Sequence, residues 1–290
     1  MTTTQDDGPG SSHPPASAHR SRWQRFSPSM GWRAFWSEIV IVVLGVAIAL
    51  AANEAMQDWT WRNKVKDAEA RLQYDITWAF LWEAEKYVSV ACVDAQLAAL
   101  SRNVLDSGDT LKSQPIITQS NNVQSVVRLP NRPYRFPTWD ALVADGTATH
   151  FTSQRQAFLS GVSNDQALSR ESMAEMRRLR GRLMVMREEL PLDPAVRADL
   201  LTSINELRSI ITVESLNAQQ RMRRIADSGD APSADDVELF LNASGKNPSG
   251  GNFSGMPQFC EAQGLPIGDW RDYQKLQGAN FLYPDAGISK

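Results

Sequence analysis

Fourteen consecutive residues, Ile39 to Ala52, carry no polar side chain. A water-exposed helix cannot tolerate such a run, so it must lie in lipid, be removed, or be buried in a core. As a helix it covers about 21 Å, short of the roughly 30 Å of a bilayer's hydrocarbon. Extension to Phe35 and Met56 closes the gap and brings Ser37, Glu38, Asn53 and Glu54 near the headgroups. Tryptophan marks both ends: of nine in the chain, five fall between Trp23 and Trp61, with Trp32 and Trp36 before the run and Trp59 and Trp61 after it. Indole collects at bilayer interfaces because its ring is apolar while its N–H still wants a partner. The reading adopted is a transmembrane anchor over 31–57, with Ile39, Val43, Gly45 and Leu50 inside it.

Two alternatives stay open. Arginines, a 14-residue apolar region and the small residues Ala49-Leu-Ala51 also describe a cleaved signal peptide. Against that, the n-region is long, and the helical pattern runs past Ala52 to Val65 and Leu72 without a turn residue. A buried core helix also fits a run of this length, less well beside an Arg-rich tail.

Residues 1–30 are rich in Ser, Thr, Pro, Gly and Asp, which predicts a disordered tail. Arg20, Arg22, Arg25 and Arg33 precede the apolar segment, and Arg62, Lys64 and Lys66 follow it. The short, acid-poor tail reads as cytoplasmic and the large domain as extracytoplasmic. The formal net charge of −3 gives no bulk attraction to nucleic acid.

Beyond the anchor, the apolar pattern predicts a mostly α fold: an antiparallel helical bundle with irregular, Pro-rich insertions. Residues 58–227 form its helical domain. Val65, Leu72, Ile76, Phe80, Tyr87, Val90, Leu97, Leu100 and Val104 make one helical stripe. Pro115, Pro130, Pro133 and Pro137 then break the pattern, and Thr138 to Gly146 reads as a short helix capped by Thr138. A helix over Ser153–Leu190 follows, its stripe including Val162, Leu168, Met176, Leu179, Leu183 and Met186. Asp193-Pro194 opens the next, with Leu200, Ile204, Leu207, Ile211 and Leu216 inward to about Asp227. Their short connection predicts a hairpin. Residues 228–290 hold a short helix opened by Ser233, a loop over Gly245–Gly255, and aromatics (Phe259, Trp270, Tyr273, Phe281, Tyr283) expected to pack back on the bundle.

Few residues invite chemistry. Cys92 and Cys260 are the two cysteines, and an extracytoplasmic domain allows them to pair, while two free apolar thiols are the alternative. Of three histidines, His13 and His19 lie in the tail and His150 stands alone, so metal ligation is not expected. No phosphate loop, dinucleotide fingerprint or nucleophile elbow occurs, and no cofactor is expected. The weak polar candidates are Trp139, Asp140, Asp145 and His150, and the spacing of the two carboxylates puts them on different faces of a helix. Arg177, Arg178, Arg180, Arg182 and Arg187, and Arg221, Arg223 and Arg224, read as solvated faces paired with nearby glutamates.

The segment from Phe35 to Glu54, with its acidic residue, aliphatic run, internal Gly45 and Asn53, resembles a group of uncharacterised bacterial single-pass proteins. Tyr74-Asp-Ile76 and Trp139 to Gly146 are similar as well. The resemblance implies an inner-membrane protein with a periplasmic helical domain and no assigned reaction. The expected partners are therefore the lipid bilayer and either another protein or a second copy, which the small-residue pair Gly45 and Ala49 would let approach closely. An envelope enzyme with a site in the 134–150 insert is the competing expectation.

Overall fold

The protein is described here from a computed structural model covering residues 32–118, 124–246 and 252–274. The tail expected to be disordered, and Phe281 and Tyr283, lie outside these residues. The chain divides into two compact units, residues 1–59 and 60–290.

A single helix, α1 (Trp32–Asp106), runs through the apolar segment and onward without interruption. In the first unit none of its described side chains is buried. An 18-residue apolar window near the N-terminus has a mean hydropathy of 2.3 and is 0% buried. Val40, Ile41, Leu44, Ile48 and Leu50 are all more than half exposed. At its start, the rings of Trp32, Phe35 and Trp36 cluster within about 6 Å of one another.

In the second unit the same helix is the central strut of a mostly helical body. It is followed by β1 (Thr110–Leu111), β2 (Ile117–Thr118), β3 (Gln124–Ser125) and α2 (Pro137–Ala144). Next come a 3-10 turn (Thr147–His150), α3 (Ser153–Leu183), β4 (Leu190–Pro191) and α4 (Pro194–Asp227). The remaining described elements are α5 (Ala234–Asn242), β5 (Ser244–Lys246), β6 (Asn252–Ser254) and α6 (Met256–Ala262). Two apolar clusters form the core. One draws on α1 from Ala68 to Val88 and includes Leu72, Ile76, Phe80, Trp139, Leu159 and Met222. The other draws on α1 from Cys92 to Val104 and includes Leu179, Leu183, Ile204 and Leu207.

Helix ends follow local chemistry. Asp193 accepts from Ala195 and Val196 N–H, both at 2.8 Å, with Pro194 in the first turn of α4. Ser233 caps α5, and Thr152 caps α3 by accepting from Arg155 N–H. The C-terminus of α1 is closed from outside: Arg197 of α4 donates to the carbonyls of Val104, Ser107 and Gly108, supplying cation and donors where a helix leaves carbonyls orphaned.

Several expectations need correction. Thr138 does not cap α2. Phe136 holds the cap position without a side-chain bond, and the Thr138 N–H donates to Asp75 Oδ2 of α1 at 3.0 Å. A tertiary carboxylate thus does the work of a local cap. Helix α3 ends at Leu183, because a 3-10 turn and then pairing of β4 with β1 take over the chain. Leu168 is 50% exposed and Leu216 38% exposed, so neither belongs to its stripe. The Gly-rich stretch is not only loop, since β5 pairs with β6.

Cys92 and Cys260 form a disulfide that ties α1 to α6 across 168 residues of sequence, both sulfurs in the core. Closing so long a loop restricts the unfolded chain, an effect of about 2–4 kcal/mol. Replacing both cysteines with Ser should lower stability by about that amount, read as a fall in the urea midpoint of the detergent-solubilised chain. An unchanged midpoint would contradict it.

Candidate functional site

The four weak polar candidates do not assemble into a site. Trp139 is buried and edge-on to Phe151, with ring centroids 6.2 Å apart. Asp140 is exposed and accepts from the Ser163 hydroxyl at 3.4 Å. Asp145 accepts from Thr147 N–H at 2.9 Å, and this backbone bond, with the Thr147 hydroxyl, holds its carboxyl below the usual range despite some desolvation. His150 stacks on Trp61 of α1, centroids 3.8 Å apart and planes 16° from parallel. Among the described residues no hydrogen bond joins any two of the four, and no group of three or more His, Cys, Asp or Glu is placed to hold a metal ion.

The densest polar constellation lies elsewhere, in the interior where α1, α3 and α4 meet. Helix α1 contributes Glu83 and Lys86, one turn apart. The Lys86 ammonium reaches Glu83 at 3.0 Å, Glu214 of α4 at 2.9 Å and the Ser169 hydroxyl of α3 at 3.1 Å. Arg221 of α4 completes the ring, donating to Ser169 at 2.6 Å and lying 3.4 Å from Glu83 and 3.3 Å from Glu214. The second Glu214 oxygen accepts from Ser172 at 2.9 Å. Glu83, Lys86, Ser169, Glu214 and Arg221 are all at most 5% exposed. Toward the surface, Asp165 accepts from Arg224 at 2.6 Å and faces Arg221 at 3.7 Å.

Three carboxylates meet three cations in this set, so the network is charge-balanced. Balance decides its electrostatics. Burial alone pushes the Glu214 carboxyl up, but Lys86, then Arg221 and the Ser172 bond outweigh it and hold the group below its ordinary range. Asp165, with its guanidinium partners opposed by burial and by Glu83, stays above the ordinary range. Burial opposes the Arg221 charge, yet Glu83, Glu214 and Asp165 together raise its affinity for the proton.

Tyr134 borders this network in a special backbone state. It is the one described non-glycine residue with positive φ, at 44°. Its ring lies 4.5 Å from the Lys86 ammonium and edge-on to Trp82. Its carbonyl accepts from Arg170 at 2.6 Å. The hydroxyl is buried with no hydrogen-bond partner among the described residues. Burial, followed by the charges of Glu83, Glu85 and Glu214, keeps the phenol protonated far above the ordinary range. Beside it, Glu85 accepts from Arg132 of the insert and from Met256 N–H of α6. Three charged residues within one turn of α1, Glu83, Glu85 and Lys86, therefore fasten α3, α4, the insert and α6.

Of these residues the sequence reading weighed only Arg221, although the spacing of the others carried a clue. Glu83 follows Phe80 by three. Glu214 follows Ile211 by three, and Arg221 follows Ala218 by three. Each is a charged residue on the stripe that points inward, and at least one opposite-sign partner on another helix is the condition for leaving it there. Arg221 in particular was read with a solvated arginine face and is 5% exposed. Two members of the basic run do pair with neighbouring glutamates, Arg178 with Glu175 and Arg187 with Glu188, whereas Arg223 donates to the Tyr273 carbonyl.

Chemically the network is a lock. Both oxygens of Glu83 and of Glu214 are engaged, and the lone phenol is held neutral. A separate surface cleft, lined by Val88, Leu241, Pro257, Ile267 and Trp270, has Arg271 at its rim, itself paired with Glu238 and Asp269. Comparison of the chain with protein-family models, curated proteins and solved structures finds no match.

Breaking one partner of a buried pair strands its counter-charges. Lys86→Met should therefore cost about 3–5 kcal/mol, measured by urea unfolding. The pH dependence has a defined sign. With its folded pKa depressed, Glu214 contributes stability present above about pH 4.3 and lost as pH falls through the folded value. Asp165, raised, contributes the opposite way: its stabilisation is present below about pH 3.9 and fades as pH rises. Glu214→Gln should flatten the acid limb of a stability–pH curve; an acid limb as steep as that of the parent would show the pairing to be idle.

Proposed function

We propose that the chain is a single-pass inner-membrane protein of the bacterial envelope, a tethered helical module that binds a partner or senses a condition and carries out no reaction. The carrying observation is the coexistence, in one continuous helix, of an apolar segment with none of its described side chains buried and a core-forming segment locked by ions. Eight exposed aliphatic side chains from Val40 to Leu50, at about 1.5–3 kcal/mol each if removed from water, represent about 12–24 kcal/mol. That is as large as the whole stability of a typical domain, about 5–15 kcal/mol, so lipid is the natural solvent for the segment.

The body is read as an antiparallel bundle on the periplasmic side. Partners descend along α4 as they ascend along α3, from Asp165 with Arg224 to Ser172 with Glu214, and this supports the hairpin. The Cys92–Cys260 bridge supports an oxidising compartment. The resemblance of the Phe35–Glu54 segment to uncharacterised single-pass inner-membrane proteins fits the same placement. The engagement of Trp139, Asp140, Asp145 and His150 with separate partners favours a binding module over an enzyme.

A reporter active only in the periplasm, fused after Lys290, tests the orientation. Strong periplasmic and negligible cytoplasmic reporter activity is expected. The reverse pattern would overturn the placement and the compartment in which the disulfide forms.

A further inference from the structure

We propose that the cleft between α1, α5, α6 and the segment leading into the 3-10 turn Trp270–Gln274 binds a small organic cation, an ammonium or guanidinium group on an apolar body. The Arg271 guanidinium occupies the seat such a cation would take. The proposal gives the sensing reading above a ligand class and rests on that reading.

The site is assembled from four stretches of the folded body. Val88 of α1, Leu241 of α5, Pro257 of α6 and Ile267 line a cleft of about 420 Å³. That volume falls within the range of small-molecule pockets, about 300–1,000 Å³. The walls are tied to one another. Cys260 of α6 is bonded to Cys92 of α1, Gln258 of α6 donates to the Leu241 carbonyl of α5, and the Gly268 N–H donates to the Val88 carbonyl at 2.9 Å. Little ordering is therefore needed when a ligand enters.

Charge decides the ligand class. The lining carries three carboxylates, Glu238, Glu261 and Asp269, against one cation, Arg271. Glu261 has no ion pair among the described residues. Of the cations on neighbouring elements, Arg132 is held by Glu85, Arg128 lies over the Phe259 ring and Arg223 donates to the Tyr273 carbonyl. None of these three lines the cleft, and Asp235 and Asp236 in the first turn of α5 add to the acidic side.

Arg271 marks the seat. Its guanidinium carbon lies 5.2 Å from the Trp270 ring centroid. It pairs with Glu238 and lies 3.5 Å from Asp269. An aromatic face beside carboxylates is suited to organic cations. The arginine holds this place loosely, its side chain 53% exposed and those of Glu238 and Asp269 43% and 48% exposed. An exposed pair of this kind is worth about 5-fold or less. A ligand cation that also buries an apolar body against Val88, Leu241 and Ile267 gains more than that and displaces it. The wall holds a donor as well: the Trp270 indole N–H is buried with no hydrogen-bond partner among the described residues, and an oxygen atom on the ligand would satisfy it.

The test is ligand-observed NMR on the full chain in lipid nanodiscs, with empty nanodiscs as the blank. The probes are 2-phenylethylamine and 3-phenylpropionate, similar in shape and opposite in charge. Expected results are saturable binding of the amine and binding of the carboxylate weaker by more than about 5-fold. Glu261→Gln should weaken amine binding by about 5-fold, and Arg271→Ala should tighten it by about 2- to 5-fold. The comparison of the two probes on the parent chain needs no variant, so it stands even if a substitution perturbs folding. Carboxylate binding as tight as amine binding, or amine binding lost in Arg271→Ala, would overturn the proposal. Absence of binding by the amine would overturn it too, and would leave the anchor and its orientation, read by the periplasmic reporter, untouched.

Discussion

An aliphatic helical surface left exposed among the described residues is the constraint from which the remaining architecture follows. The first half of α1 offers its apolar side chains in every direction, and water charges for each of them. The second half of the same helix is apolar on one stripe only, and that stripe is filled by α3, α4, the insert and α6. One secondary-structure element therefore serves two solvents. The change of pattern near Trp59 to Val65, from apolar all round to apolar on one face, marks where one solvent gives way to the other.

Within the folded body, the buried ions occupy a seam. Along α3 they lie between Val162 and Met173 and along α4 between Ile211 and Met222, where one apolar cluster hands over to the next, and along α1 at 83–86, near the end of the first cluster's span. Apolar packing by itself tolerates sliding of one helix along another, because Leu fits Leu at many registers. A Lys between two carboxylates, with an Arg closing the ring, fits at one. Replacing such networks with hydrophobic residues often preserves or raises stability, so the value of this one lies in register: it fixes α1 against α4 at the level that also aligns Cys92 with Cys260 and Arg197 with the end of α1.

The helices were legible because their signals are local. Asp193-Pro194, Ser233 and the 3.6-residue apolar repeat each act within a turn of the residues they organise. What the sequence concealed was tertiary. The cap of α2 comes from Asp75, sixty-three residues away. The end of α3 is set by a strand pairing with Thr110–Leu111. Glu83, Glu214 and Arg221 look like surface residues until their partners on other helices are known, although their inward spacing was a usable clue. Leu168 and Leu216 show the converse: an apolar residue near the right spacing that the packing leaves out. Of the residues weighed for a site, Cys92 and Cys260 come together, whereas Trp139, Asp140, Asp145 and His150 each engage a different partner.

The central claim is that the segment from Phe35 to Met56 resides in lipid as part of the mature chain. Extraction of cell membranes at alkaline pH, followed by mass determination of the pelleted protein, tests it most directly. The account predicts the full 290-residue chain in the membrane pellet, released only by detergent. Recovery of the intact chain in the aqueous supernatant, or of a species shortened at Ala51, would contradict it.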